Sequence, residues 1–207
     1  SAAENGDGTT GLAVSAQGAA GGSAFSATLS AQGKMTECAK APLALTFNAR
    51  NDDATALLAL YGLPALPLGL TGAGTTDIAA KGTLGEGLAT TASLSGEDFK
   101  AGFDGSVAVS VQGPAIKGKV SLEAADIEPW LMTTGVTLPG MGTGTSTTFN
   151  AEADYANGLL VLGGLTGAVN EIAVSGDINA AIRGGKPLLT GALVVEDVDL
   201  DPAAVML

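Results

Sequence analysis

The amino-acid sequence predicts an all-β fold in which repeated antiparallel hairpins form one long curled sheet or groove, with short capping helices. Two observations favour this fold. Apolar and polar residues alternate over many strand-length segments, and 31 glycines are spread through the 207 residues, often where a strand would end or turn. Short turns between these segments leave no room for helical crossovers, so we expect neighbouring strands to be antiparallel.

The clearest alternating segment runs from residue 103 to residue 111. Its odd-numbered residues are apolar or glycine, whereas the intervening residues are small or polar. Because successive side chains of a strand point to opposite faces, this pattern predicts one apolar face and one solvated face. The Gly113-Pro114 pair then breaks the pattern, which resumes at residues 119–125.

The same unit recurs along the chain. A shift of 71 positions takes Gly105-Ser106-Val107 to Gly176-Asp177-Ile178, and a shift of 73 positions takes Asp126-Ile127-Glu128-Pro129 to Asp199-Leu200-Asp201-Pro202. We therefore expect one β-repeat region, excised from a longer protein, with internal repeats at approximately 11–69, 70–140 and 141–207.

About four strands are expected in each repeat, followed by a cap. The strands are expected at residues 12–17, 24–31, 43–49, 75–81, 88–94, 101–111, 119–125, 147–154, 159–165, 171–180 and 188–195. A helix is expected at 54–61, capped by Asn51-Asp52-Asp53, and a shorter one with Glu128 as its N-cap residue. Trp130, the single tryptophan, is expected to pack over the end of the apolar face.

Composition limits the range of partners. The net charge is −12, and the nine lysines and arginines do not cluster, so a nucleic-acid partner or a close grip on anionic lipid headgroups is not expected. The chain is 46% apolar with a mean hydropathy of +0.35, yet its longest apolar runs are no longer than a strand. The single cysteine can form no internal disulfide.

The size of the predicted sheet leaves two architectures open. A dozen strands at about 4.8 Å spacing would extend over roughly 55 Å, and a sheet of that extent must curl or find a cover for its apolar face. Few residues remain to cover it. The sheet either curls into an apolar trough that suits acyl chains, or folds over and packs shut as a sandwich with a thin core.

The residues that could carry chemistry are few. The chain contains no histidine, which excludes Ser-His-Asp and Cys-His nucleophiles and histidine-ligated metals. Paired carboxylates occur at Asp52-Asp53, Asp126/Glu128 and Asp197/Asp199/Asp201, but they follow strands at matching points of the repeats. We interpret them as caps, and expect no catalytic residue, no metal site, no cofactor and no enzyme activity.

Several motifs of the chain resemble the C-terminal region of the AsmA family, which is related to the TamB group. They are the strand-then-acidic-proline pattern at 125–131 and 198–202, the Asp-Tyr-Ala-Asn-Gly-Leu-Leu turn at 154–160 with the following Leu165-Thr166-Gly167, and the helix with its Gly-Leu-Pro end at 54–64. The resemblance covers most of the chain from about residue 43 to residue 207. Family members are large proteins of diderm bacteria that are anchored in the inner membrane and face the periplasm.

The resemblance implies a function as well as a fold. Such proteins are thought to form a long β-groove that carries phospholipids towards the outer membrane and supports outer-membrane biogenesis. By resemblance, this chain is a periplasmic segment of such a groove, with phospholipid acyl chains as its partner and the membrane anchor outside the segment. The alternative is a structural or adhesive β-repeat module with no lipid cargo, in which the sheet closes on itself.

Fifteen alternating residues are the candidate lining of the lipid groove. They are Phe25, Leu29, Leu45, Phe47, Phe103, Val107, Val109, Val111, Val120, Leu122, Ile172, Val174, Ile178, Leu193 and Val195. A second expectation concerns the sheet's edge strands, whose unpaired backbone could pair with the rest of a parent chain or with a second copy.

Overall fold

The computed structural model describes residues 2–4, 8–60, 71–110, 113–133, 135, 141–183 and 186–196. The described strands are β1 (Ala2–Glu4), β2 (Thr10–Ala20), β3 (Ser23–Gly33), β4 (Leu43–Asn51), β5 (Gly74–Thr83), β6 (Gly87–Ser95), β7 (Phe99–Ser110), β8 (Gly113–Ala124), β9 (Thr147–Ala156), β10 (Leu159–Val169), β11 (Ile172–Arg183) and β12 (Lys186–Val195). The described helices are α1 (Ala54–Leu60), α2 (Glu128–Thr133) and a 3-10 helix at Met35–Lys40.

All twelve strands belong to one sheet, and each pairs antiparallel with the strand that precedes it in the chain. The sheet curls without closing on itself, which confirms the predicted all-β fold. Short turns make this order possible. Between β9 and β10, Asn157 and Gly158 both have positive φ, at 53° and 78°, as two-residue hairpin turns require.

The predicted strands are confirmed, with differences at their ends. The largest concerns β8, which begins at Gly113 and not at residue 119, so the Gly113-Pro114 pair does not interrupt the sheet. Pro114 is tolerated because β9 pairs with β8 only from Ile116 onwards, which leaves the start of β8 paired on one side alone. The short strand β1 and the 3-10 helix were not predicted from the sequence.

The two α-helices occupy equivalent places. α1 follows β4 and α2 follows β8, so both lie at the same end of the sheet, four strands apart. The backbone N–H of Ala54 donates to the Gly72 carbonyl oxygen at 2.7 Å, and that of Ile127 donates to the Thr145 carbonyl oxygen at 2.8 Å. The corresponding third cap, at residues 197–207, lies outside the described residues, and the repeat boundaries stay a prediction.

Each helix is capped by a preceding aspartate, Asp53 directly before α1 and Asp126 two residues before the start of α2. Asp53 Oδ1 accepts hydrogen bonds from the Thr55 N–H at 3.0 Å and from the hydroxyls of Thr55 and Thr71. Asp126 Oδ1 accepts from the N–H groups of Glu128 and Thr145, both at 3.0 Å. The prediction that Glu128 is the N-cap residue was wrong, because Asp126 fills that role and Glu128 is the first helical residue.

The two helices cover the end of the sheet's apolar face. Leu57 of α1 is fully buried, and α1 contacts β4 and β5. Trp130 of α2 is buried and stacks on Phe99 of β7, with ring centroids 3.9 Å apart. A Cβ at Gly96 would come within 3.1 Å of the indole, so a glycine at this position leaves room for the ring. This is the position that the sequence predicted for Trp130.

Candidate apolar groove on the inner face

The strand register places the predicted groove residues on one face of the sheet, which we call the inner face. Leu29 lies opposite Leu45, and Phe103 lies opposite Val120. On the last two strands Gly176 lies opposite Leu193, and Ile178, two residues after Gly176, is on the same face. Following these pairs from β2 to β12 assigns the same face to Phe25, Leu29, Leu45, Phe47, Phe103, Val107, Val109, Val120, Leu122, Ile172, Val174, Ile178, Leu193 and Val195. Val111 lies outside the described residues.

Charge is completely segregated between the two faces. The eleven charged residues of strands β2 to β12 whose side chains the structure describes all lie on the opposite, outer face: Arg50, Asp77, Lys81, Lys100, Asp104, Lys117, Lys119, Glu123, Glu152, Asp154 and Asp177. Some of them lie beside opposite charges, as where the Lys117 ammonium is 3.4 Å from the Asp154 carboxylate. The described inner face of these strands therefore presents apolar side chains, glycine, a few hydroxyls and the Asn51 carboxamide, which donates a hydrogen bond to the Ser23 hydroxyl at 2.8 Å.

The inner face is partly open to solvent. Large apolar side chains near its rims are exposed, among them Val109 at 59%, Leu193 at 51% and Val195 at 45%. Towards the middle, Ala151, Leu165 and Val174 are buried and form a cluster with half-buried neighbours that include Val120 and Phe149. An open sheet with a curled apolar face corresponds to the trough that the sequence left open as one of two architectures, rather than to the closed sandwich.

The curl creates an apolar cavity of about 280 Å³ over strands β8 to β12. Apart from the backbone region of Ser121, its walls are aliphatic or aromatic: Val120, Leu122, Phe149, Ala151, Leu162, Leu165, Val174, Ile178 and Leu193. Five of the predicted lining residues meet here: Val120, Leu122, Val174, Ile178 and Leu193. Because β8 and β12 both reach this cavity, the inner face is strongly concave at this place.

A second apolar cavity, of about 300 Å³, lies below helix α1. Leu58 of the helix borders it from above, and strands β5 to β7 form its floor through residues that include Ile78, Leu94 and Phe103. Leu57 is fully buried, whereas Leu58 is half-buried and lines the cavity.

A β-bulge in β10 shapes the wall of the first cavity. Leu162 lies opposite Ala153 of β9, but the ladder shifts before Thr166, so that one additional residue of β10 lies between these pairs. The bulge returns Leu165 to the inner face beside Leu162, although the two are three residues apart. Asp177 of β11 stabilises it by accepting a hydrogen bond from the Gly164 N–H at 2.9 Å.

Phenylalanines of the inner face lie close to glycines. A Cβ at Gly18 would be 3.1 Å from the ring of Phe25 on β3, and a Cβ at Gly167 would be 2.7 Å from the ring of Phe149 on β9. The rings therefore occupy the space that a side chain would fill. The same arrangement explains how so few aromatic residues cover a wide face.

Several inner-face residues were absent from the predicted lining. Ile78, Phe149 and Leu162 lie within predicted strands for which no lining residue was predicted. The register places Ile78 opposite Phe47, Phe149 opposite Leu122 and Leu162 opposite Ile178, all of them predicted lining residues. Leu165 is different, because the bulge changes the parity of β10. The adjacent Gly163-Gly164 pair is the sequence signal that could have indicated the bulge.

The acidic side chains of the described residues are dispersed or held in the helix caps. Within the described residues, no cluster of three or more histidine, cysteine, aspartate or glutamate side chains could hold a metal ion. The carboxylates of Asp53, Asp126 and Glu128 are engaged in hydrogen bonds of the caps, including 2.7 Å between Glu128 Oε2 and the Gly142 N–H. No helix in the described part of the chain has the length and apolar character needed to cross a membrane.

Comparison with known proteins adds no relative to this description. No protein-family model, no curated protein and no solved structure matches the chain.

Proposed function

We propose that the chain is a segment of a periplasmic hydrophobic β-groove that shields and conducts phospholipids between the inner and outer membranes of a diderm bacterium. The observation that carries the proposal is the complete segregation of charge in strands β2 to β12. Among the described side chains of these strands, eleven charged ones lie on the outer face and none on the inner one. A long strip of sheet that is apolar on one side can solvate acyl chains, and the polar side keeps it in water.

The geometry favours chains over compact ligands. The lining of the cavity over β8 to β12 has no charged side chain and almost no polar one, so it offers nothing to orient a polar ligand. Lipid headgroups would remain at the open side of the trough, in water. Since each methylene removed from water contributes about 0.8 kcal/mol, a uniform apolar surface can hold an acyl chain without any specific site.

Passive movement follows from the same uniformity. Large apolar residues recur along the inner face from Leu29 on β3 to Leu193 on β12, with neighbouring strands offering similar surfaces. An acyl chain that leaves one position on the inner face therefore meets a similar apolar surface next to it. The resemblance to the AsmA family supports the same function, together with the periplasmic location and an inner-membrane anchor elsewhere in the protein.

The test is native mass spectrometry of the protein purified from a diderm bacterial host, followed by lipid extraction from the same sample. The groove variant Val109→Asp/Val120→Asp places two charges on the inner face. The matched control Ser106→Asp/Ala115→Asp places two charges on the outer face of the same strands, β7 and β8. Circular dichroism establishes that both variants retain the β-sheet.

We expect phospholipid adducts on the wild-type protein and on the control, and their loss from the groove variant. A wild-type protein without adducts or extractable lipid would contradict the proposal and favour the structural or adhesive module. Equal lipid content in both variants would place any bound lipid away from the inner face, and would also contradict it.

A further inference from the structure

The inner face is uniform in polarity but not in depth. Its two apolar cavities, of about 280 Å³ over β8 to β12 and about 300 Å³ below α1, are nearly equal in size. Ligand cavities commonly measure about 300–1,000 Å³, so each of the two is at the lower limit of that range. Either cavity therefore suits a single acyl chain better than a whole lipid with two chains.

The two cavities meet at the boundary between β7 and β8. Phe103 on β7 borders the cavity below α1, and Val120, directly opposite on β8, borders the cavity over β8 to β12. The opposed pair Ala101 and Leu122 is divided between the two cavities in the same way. Neighbouring strands are about 4.8 Å apart, so the near walls of the two cavities are only one strand spacing from each other. Two hydrocarbon chains in these cavities therefore lie side by side.

The linings of both cavities match an uncharged ligand. Neither includes a charged side chain among the described residues, and the polar residues are Ser121 in one lining and Thr76 and Ser93 in the other. The register places Ser93 and Ser121 on the outer face, so that only Thr76 presents a hydroxyl to the inner one. A peptide in these cavities would bury N–H and C=O groups without partners, whereas an acyl chain has no such groups along its length.

We propose that one phospholipid lies across the boundary between β7 and β8 with one acyl chain in each cavity, an inference that rests on the proposed function. The glycerol lies over Phe103 and Val120, and the head group remains in water at the open side of the trough. Linking two chains in one molecule raises the affinity about 10²–10⁴-fold over that of either chain alone. The two cavities therefore select lipids with two acyl chains over lysophospholipids and fatty acids. Movement along the groove remains possible, because the inner face around the cavities is apolar as well.

The experiment uses native mass spectrometry to measure the dissociation constants of two lipids for the delipidated protein. Diheptanoylphosphatidylcholine and heptanoyl lysophosphatidylcholine carry the same head group and differ in the number of chains. The variant Ala92→Phe fills the cavity below α1, and Ala151→Phe fills the cavity over β8 to β12. The matched control Ala27→Phe adds the same ring to the inner face on β3, outside both linings. Circular dichroism must give the same β-sheet spectrum for all four proteins.

On the wild-type protein we expect the two-chain lipid to bind at least about a hundredfold more tightly than the one-chain lipid, and one molecule of it to displace two of the other. Each filled variant should weaken binding of the two-chain lipid at least about tenfold. Its binding of the one-chain lipid should weaken no more than about twofold, because one of the two cavities stays open. The control should bind both lipids as the wild-type protein does.

The wild-type comparison needs no variant, so it tests the inference even if a filled variant loses its β-sheet. Similar affinities of the two lipids for the wild-type protein, or displacement of one molecule by one, would overturn the inference and leave the proposed function intact. The same holds if a filled variant keeps the wild-type affinity for the two-chain lipid, or if the control loses as much affinity as the filled variants. A wild-type protein that binds neither lipid would contradict the proposed function itself.

Discussion

Thr76 offers a test of how the inner face is stabilised. It lies on β5 opposite Ala49 and Leu94, is 4% exposed, and its hydroxyl has no hydrogen-bond partner among the described residues. Burying a hydroxyl without a partner costs about 1–3 kcal/mol by protein mutational data. Valine has nearly the same shape and replaces that hydroxyl with a methyl group. We therefore expect Thr76→Val to raise the free energy of unfolding by about 1–3 kcal/mol.

Thr90 is the matched control on the neighbouring strand. It is also on the inner face and is 9% exposed, but its hydroxyl donates a hydrogen bond to the Leu88 carbonyl oxygen at 3.0 Å. Thr90→Val removes that bond, whose net contribution is about 0.5–1.5 kcal/mol. The free energy of unfolding of this variant should therefore equal that of the wild-type protein or be lower. The pair thus differs in hydrogen bonding but hardly in burial.

The assay is thermal and urea unfolding followed by circular dichroism. For a chain of this length, 1 kcal/mol corresponds to a shift of about 2–4 °C in Tm, so Thr76→Val should raise the Tm measurably. If Thr76→Val stabilises no more than Thr90→Val, the hydroxyl of Thr76 is hydrogen-bonded in solution. The inner face would then be more hydrated at this position than the structure indicates.

Three further predictions concern the helix caps and the glycines of β10. Trp130→Ala should lower the free energy of unfolding by about 3–5 kcal/mol in urea titrations, because it removes the buried ring that stacks on the end of the sheet. Asp126→Ala should cost roughly 0.5–2 kcal/mol by the same assay, whereas Asp104→Ala on the exposed outer face should stay within about 0.5 kcal/mol. Gly167→Ala should lower Tm, since its Cβ would overlap the Thr148 carbonyl oxygen; Gly163→Ala, whose Cβ meets only the Asp177 carboxylate at 3.7 Å, should hardly change it. Equal effects of Asp126→Ala and Asp104→Ala would contradict the contacts described for the cap. Equal effects of Gly167→Ala and Gly163→Ala would contradict the contacts described for β10.

The strands could be predicted because their signal is local. Apolar and polar residues alternate with period two within each segment. This alternation assigns Val107, Val109 and Val120 to the correct face without knowledge of their partners. The fold class follows, since short turns permit only a meander of neighbouring strands. For the candidate groove, the same alternation predicted a set of residues that share one face of the sheet.

The parts that escaped prediction depend on contacts between distant segments. Asp126 caps α2 through a local hydrogen bond from the Glu128 N–H, but it also accepts one from the Thr145 N–H, nineteen residues further along, and nothing in the local Glu-Pro pattern indicates that second contact. The bulge in β10 exists because Asp177 of the next strand satisfies the Gly164 N–H. Pro114 can stand in β8 because β9 pairs with this strand only from Ile116 onwards, which the local Gly-Pro pair does not indicate.

A row of small residues crosses strands β5 to β9 on the inner face, and this row appears only once the register is known. Its members lie directly opposite one another on the inner face: Ala80, Thr90, Gly105, Gly118 and Ala153. At its centre a Cβ on Gly105 would come within 2.6 Å of the Gly118 Cα, so the two backbones approach too closely for side chains. Larger residues stand on both sides of the row, as Phe103 and Val107 do around Gly105. The sheet can therefore bend inwards along the row, and the small residues that would give a sandwich a thin core instead form the floor of an open groove.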